Sequence, residues 1–227
     1  MIQPASSLVV RGLGKRYGDH LALEDLDLDL PGSTLLAVVG SNGAGKSTLL
    51  GSLAGVLRHD GTATLDGRPI RPGDGRTTYL PQGLRLPAAA TVADVLGLLR
   101  ALAGGMPDRV PLPQDFVPEG SRRIGELSGG QAQRVALAGA LMGAPDLVLL
   151  DEPLANLDDE ARATATNLFR AHREAGAIVL VASPAAHDVL AAADLAARID
   201  NGRLATLGPA AAFLASLGHA IRSEGAA

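Results

Sequence analysis

The sequence contains no cysteine and no tryptophan. Disulfides and cysteine-based zinc sites are therefore excluded. A cysteine-free chain is neutral about compartment but sits easily in a reducing cytosol. Aromatic residues make up 2% of the 227 positions, too few for the platforms on which single-stranded nucleic acids stack. There is no basic surplus either. The net charge of −4 argues against a nucleic-acid partner. Long hydrophobic runs are missing too. Residues 136–150 are apolar but interrupted by Gly139, Gly143, Pro145 and Asp146, and nothing approaches the ~20 residues a membrane helix needs. Residues 1–7 carry neither the basic nor the apolar segment of a signal peptide. Any membrane role is expected to come through a partner. What is present, 47% hydrophobic and 19% charged residues, suffices for one large core.

The most informative stretch is Gly40-Ser41-Asn42-Gly43-Ala44-Gly45-Lys46-Ser47-Thr48. It fits G-x-x-x-x-G-K-[ST] and stands between a short β-forming run (34–39) and a helical one (49–54). That context makes the pattern a phosphate site. Its glycines let backbone N–H groups approach phosphate oxygens, and the following helix adds its positive end. Lys46 is expected to bear on the β- and γ-phosphates, and the Ser47 hydroxyl on Mg²⁺.

Around this loop the first eighty residues read as mostly β. Residues 8–13 open a strand. Residues 20–30 alternate Leu and Asp with a phase slip near Glu24, the mark of a half-exposed antiparallel strand with a bulge. Residues 61–67 and 77–80 add further strands. Residues 91–103 have helical spacing, with Thr91 as N-cap and Asp94 at the favourable end of the dipole. Residues 104–123 are rich in Pro, Gly and charge and read as irregular. From Gly129 the pattern is α/β: helices over about 131–142, 159–174 and 184–192, with buried strands at 147–150 and 177–182. A strand pair follows at 195–199 and 203–207 about the turn Asn201-Gly202, and an Ala-rich helix runs on from Pro209. No internal repeat is visible.

Two further stations carry chemistry. The strand 147–150 ends in Asp151-Glu152. A carboxylate at a strand end facing a phosphate loop is placed to hold Mg²⁺, and a second can polarise the attacking water. Alone, the pair fits an acidic turn equally well. Leu127-Ser128-Gly129-Gly130-Gln131 joins a Ser N-cap and two glycines at a helix start, with Glu126 just before it and Arg134 one turn in. It is a second anion cradle. One chain needs one γ-phosphate site, so a second cradle suggests a nucleotide shared between two chains.

In these segments, in the order Gly40–Thr48, Gln82, Leu127–Gln131, Leu147–Glu152 and Leu157-Asp158, the sequence resembles the ATP-binding-cassette (ABC) ATPases over about residues 8–208. The resemblance implies an α/β fold: a P-loop NTPase core with an N-terminal antiparallel β-subdomain and an inserted helical subdomain. A single domain would span 1–227, with about 1–83 and 125–227 forming the core and β-subdomain and about 84–124 the helical part. It implies an ATP- and Mg²⁺-dependent ATPase that powers a membrane transporter as a head-to-tail homodimer or heterodimer. The partners would be transmembrane permease subunits, with or without a substrate-binding protein, and the location the inner face of the cell membrane. By resemblance, Tyr17 stacks on adenine and Gln82 contacts Mg²⁺ or the lytic water. Ser128, Gly129, Gly130 and Gln131 clamp the γ-phosphate held by the opposite chain, and Asp158 links the two sites. Glu152 is the general base, and Lys46 bears on transition-state charge. The rivals are a soluble ABC ATPase outside transport and a hydrolysis-impaired cassette.

The second rival arises from a departure. The family's histidine after the strand matching 177–182 falls, by residue count, on Pro184, which offers neither side-chain donor nor N–H. Ser183-Pro184 suits an N-cap and first helical position. His187 follows one turn later, about 4.5 Å along a helix axis. Either His187 reaches the γ-phosphate through a reoriented helix, or it is an exposed histidine and the switch is absent.

Overall fold

The computed structural model describes residues 6–183 and 186–216. Strands β1 (Leu8–Tyr17), β2 (His20–Leu30), β4 (Asp60–Leu65) and β5 (Arg68–Pro69) form an antiparallel sheet of order β2-β1-β4-β5. Strands β3 (Thr34–Val39), β6 (Thr77–Leu80), β7 (Leu147–Asp151), β8 (Ile178–Ala182), β9 (Leu195–Asp200) and β10 (Arg203–Pro209) form a second, of order β10-β9-β3-β8-β7-β6. It is parallel except for the edge strand β10. The helices are α1 (Lys46–Leu53), α2 (Val92–Leu102), α3 (Gly129–Leu141), α4 (Asp159–Glu174) and α5 (Ala186–Ala192). Residues 210–216 are also helical.

Alternation along the parallel strands explains why their sequences are apolar throughout. Leu36, Val38, Leu147, Leu149, Ile178 and Leu180 face one way, into a core shared with the antiparallel sheet and α1. Leu35, Ala37, Val148, Leu150, Val179 and Val181 face the other, into a core shared with α3, α4 and α5. A strand covered on both faces has no polar side to show. By contrast, β2 keeps Leu26, Leu28 and Leu30 buried while Asp25, Asp27 and Asp29 stay exposed. Its phase slip is a bulge. Leu13 pairs with Leu26 but Lys15 with Leu23, leaving one extra residue on β2, and Asp25 has φ 48°.

Some boundaries differ from the sequence reading. The opening strand runs on to Tyr17, because Gly12 (φ 57°) absorbs a bulge and pairing resumes beyond it. Helix α3 begins at Gly129 rather than Gln131. The Ser128 side chain accepts from the Gln131 N–H, and the Gln131 side chain from the Ser128 N–H, a box that offsets the poor helix propensity of two glycines. Pro209 closes β10 instead of opening a helix. Pro184, the expected first helical position after Ser183, and residues 217–227 lie outside the described residues.

Thr91 caps α2 and forms a reciprocal box with Asp94. The segment after α2 is docked by Asp108 and Arg109. Asp108 accepts from Gly143 N–H at 2.8 Å, and Arg109 donates to Pro145 O, Ala144 O and Asp146 Oδ1 at 2.9, 3.0 and 2.8 Å. Close by, His172 of α4 is fully buried and neither ring nitrogen is hydrogen-bonded. Burial pushes its pKa down from 6.5 to about 4; Arg109 adds to this and Asp108 opposes it. Below pH 6.5 the unfolded chain therefore takes up a proton that the folded chain refuses, so stability falls as pH drops from 6.5 towards 4. At about 1.4 kcal/mol per unit, the loss from this group reaches ~2 kcal/mol by pH 5. Urea unfolding of wild type and His172→Leu should show the difference between them move by that amount in favour of the variant from pH 7 to pH 5. A constant difference would contradict it.

Candidate functional site

The carboxyl ends of β3, β6 and β7 meet at one edge of the parallel sheet. β8 separates β3 from β7, which sets the turn after β3 and the end of β7 about 10 Å apart. A side chain from each side bridges that gap. The residues there line a cleft of about 490 Å³: Tyr17, Asn42, Gly43, Gly45, Lys46, Ser47, Thr48, Gln82 and Glu152, joined by His20 and Ala22.

The loop 40–45 is held from behind. Ala44 is buried, and its carbonyl accepts from Gly202 N–H at 3.0 Å. Gly45 has φ 109°, and a Cβ there would lie 2.7 Å from the Ala22 carbonyl. Only glycine allows that turn against β2. Gly45 is also the N-cap of α1 and offers no side-chain cap, so the first N–H groups of α1 are left to an outside acceptor.

Lys46 is 7% exposed, and its ammonium donates to Gly40 O at 2.9 Å and Ser41 O at 2.8 Å. Asp151, at the end of β7, is 2% exposed. Burial pushes its carboxyl above the usual range, against the Ser47 hydroxyl, the Lys46 charge and the Gln82 N–H, which favour the ionised form. Ser47, Asp151 and Gln82 thus converge. Among the described residues no group of three His, Cys, Asp or Glu side chains could hold a metal ion. One carboxylate, one hydroxyl and one amide are hard oxygen donors, too few for a protein-only cage. They suit Mg²⁺, which takes few protein ligands together with phosphates and water.

At the mouth of the cleft Tyr17 is 47% exposed, with the Lys15 ammonium 5.0 Å from its ring centroid. His20 pairs directly opposite Tyr17 across the tight β1–β2 turn. That pairing was open to reading in Tyr17-Gly18-Asp19-His20, yet sequence reasoning did not single out His20. It also passed over Tyr79. Burial first, then Asp151 and Tyr17, raise the phenol of Tyr79 to about 12.

The remaining expected residues lie elsewhere. Ser128 and Gly129 are exposed at the start of α3, do not line the cleft, and have Gly130 and Gln131 beside them in its first turn. Gln131 Oε1 also accepts from Arg122 at 3.4 Å. Asp158 is the N-cap of α4, accepting from Ala161 N–H at 2.8 Å. The His187 side chain is 81% exposed and lines a separate recess between α4 and α5 with Arg162, Asn167 and Arg170. Pro184 lies outside the described residues.

A basic, glycine-turned loop at a helix start, next to a buried carboxylate and a half-buried one, is equipped to take polyphosphate and a hard cation. Comparisons with known proteins agree. The ABC transporter family matches residues 23–155. The aliphatic sulfonates import ATP-binding protein SsuB 1 of Mesorhizobium japonicum is 38% identical over 214 residues, covering 90% of this chain and 79% of that protein. The zinc import ATP-binding protein ZnuC of Paramagnetospirillum magneticum is 36% identical over 198 residues, covering 83% and 72%. A solved ATP-binding subunit of an ABC transporter superposes with a TM-score of 0.79, at 22% identity and 93% coverage of both chains, which supports the fold. The chain belongs to the ABC transporter family, as one of its ATP-binding subunits.

Proposed function

We propose that the chain binds MgATP in the cleft around Lys46 and hydrolyses it to drive solute import, as one of two cassettes that close head to tail. The second cassette is an identical copy or a relative. Transmembrane permease subunits, with or without a substrate-binding protein, carry the cargo, and the chain works from the inner face of the membrane. ATP hydrolysis coupled to transport is the activity of this kind of subunit. Import rests on the relatives, whose names specify import of aliphatic sulfonates and of zinc. Cargoes that differ so much between similar subunits support a choice made by the permease or binding protein.

In this reading Lys46 and the N–H groups of Gly43, Ala44 and Gly45 cradle the β- and γ-phosphates. Gly40, Ser41 and Asn42 shape the turn and Thr48 extends the first turn of α1. Tyr17 offers its open face to adenine. Ser47, Asp151 and Gln82 would hold Mg²⁺, which when bound offsets charge on the phosphate oxygens. Glu152 takes the proton of the attacking water. The helix start at Ser128, Gly129, Gly130 and Gln131 serves the nucleotide of the opposite cassette, and Asp158 lies between the two.

The observation that carries the paired arrangement is the separation of the two anion cradles. The cleft holds the loop, Gln82 and Glu152, while the start of α3 is exposed and does not line it. Recovery of the tagged chain from detergent-solubilised membranes tests the transport role. A co-purifying multi-span protein is expected. An active ATPase recovered without one would point to the soluble, non-transport alternative.

His187 in its own recess supports the reading in which the family's histidine switch is absent. His187→Ala should then leave ATP turnover within about twofold, because an exposed side chain outside the cleft contributes little. Loss of turnover in that variant, with Pro184→His without effect, would return the switch to His187.

A further inference from the structure

We propose that Gln133 is a positioning residue for Glu152, fixing its carboxylate by anchoring the next peptide group to α3. The inference rests on the reading of Glu152 as general base. Glu152 has φ 51°, a left-handed conformation that costs a non-glycine residue about 1 kcal/mol or more. Pro153 follows it and further restricts the residue before it. Such a conformation persists only where its surroundings hold it.

The Glu152 carbonyl accepts from Ala155 N–H at 3.2 Å within the loop, and two further hydrogen bonds, one on each side, tie the segment to other elements. The Glu152 N–H donates to Ala182 O at the end of β8, at 2.8 Å. The Pro153 carbonyl accepts from the Gln133 side-chain amide at 3.0 Å. Pro153 has no N–H, so its carbonyl is the first backbone handle after Glu152 that another element can grip. A carbonyl acceptor also fixes which end of the Gln133 amide points at it.

Further contacts tie the same two segments. A Cβ on Gly130 would lie 2.5 Å from the Asn156 carbonyl, so the first turn of α3 rests directly on the loop after Glu152. Leu154 and Leu157 of that loop are buried in one cluster with Ala136 and Leu137 of α3. The exposed start of α3 and the carboxylate of the same chain's cleft are therefore parts of one packed unit. A ligand that draws on the first carries the second with it, and among the described residues Gln133 is the polar link from α3 nearest to Glu152.

ATP turnover of the full chain tests this with variants outside the cleft. Gln133→Met removes the donor at similar volume, and Gln133→Lys restores one. Gln133→Met should lower kcat by about tenfold or more, as small misplacements of a catalytic group do, with KM for ATP within about twofold of wild type. Its urea unfolding midpoint should fall only modestly, as a half-buried carbonyl without its donor requires, with the chain fully folded under the assay conditions, and Gln133→Lys should recover at least about half the rate. If Gln133→Met does not fold, Gln133→Glu serves in its place with the same expectation. A kcat within about twofold of wild type in the donorless variant would overturn the proposal. So would a parallel rise in KM, or a lysine variant as poor as the methionine one. Glu152→Gln in the same assay separates the two claims. Full activity in that variant would remove the base itself, whatever Gln133 does.

Discussion

Glu152→Gln should turn over ATP some two to four orders of magnitude more slowly than wild type, the usual range for loss of a positioned base, while still binding ATP. The substitution keeps shape and removes only the ability to accept a proton. The Glu152 backbone is held by the Ala182 carbonyl, so the glutamine should sit where the glutamate does. The residues that contact phosphate and adenine in the proposed complex, Lys46 and Tyr17 among them, are untouched. Single-turnover ATPase measurements, with nucleotide binding followed separately, distinguish loss of chemistry from loss of affinity. Turnover like that of wild type would take Glu152 out of the reaction.

Lys46→Met should weaken ATP binding on the order of a hundredfold and abolish turnover at ordinary nucleotide concentrations. Among the described residues Lys46 is the only lysine or arginine lining the cleft, which also carries Glu152, with Asp151 behind it. Without the ammonium, those carboxylates meet a polyanion unopposed. Charge-assisted hydrogen bonds are worth about 1.5–3 kcal/mol each, and losing two gives the hundredfold or more. Methionine keeps the buried stem, so the fold should suffer chiefly from leaving the Gly40 and Ser41 carbonyls without their donor, about 1–3 kcal/mol, with the buried Asp151 also losing a favourable charge. Calorimetric titration with ATP checks the first effect and urea unfolding without nucleotide the second. Affinity within about threefold of wild type would contradict the placement of Lys46 on the phosphates.

Much of this was legible because several local signals agreed. Helix α4 runs over Asp159–Glu174 as read from the sequence: Asp158 caps it, Asp159 and Glu160 open it, and His172 and Arg173 close it. Strands β3 and β6 also match, being apolar or β-branched runs stopped by Gly or Pro. Where tertiary contacts decide, the sequence was silent. The continuation of β1 depends on a partner strand that tolerates a bulge. The buried His172 feels the charges of an Asp108-Arg109 pair more than sixty residues away in sequence. The amide bond from Gln133 to Pro153 depends on two elements whose approach no periodicity reveals. Within the site, spacing identified the loop and Glu152, which share the cleft, and Asp151 behind them. The proposed role of the exposed start of α3, as one half of a shared site, came from counting anion cradles.

The proposed division of one reaction centre between two chains is tested most directly by sedimentation of Glu152→Gln with MgATP. Twice the single-chain mass is expected with MgATP and a single-chain mass without it. A single-chain mass with saturating MgATP at high protein concentration, both alone and with the membrane partner, would contradict a shared nucleotide.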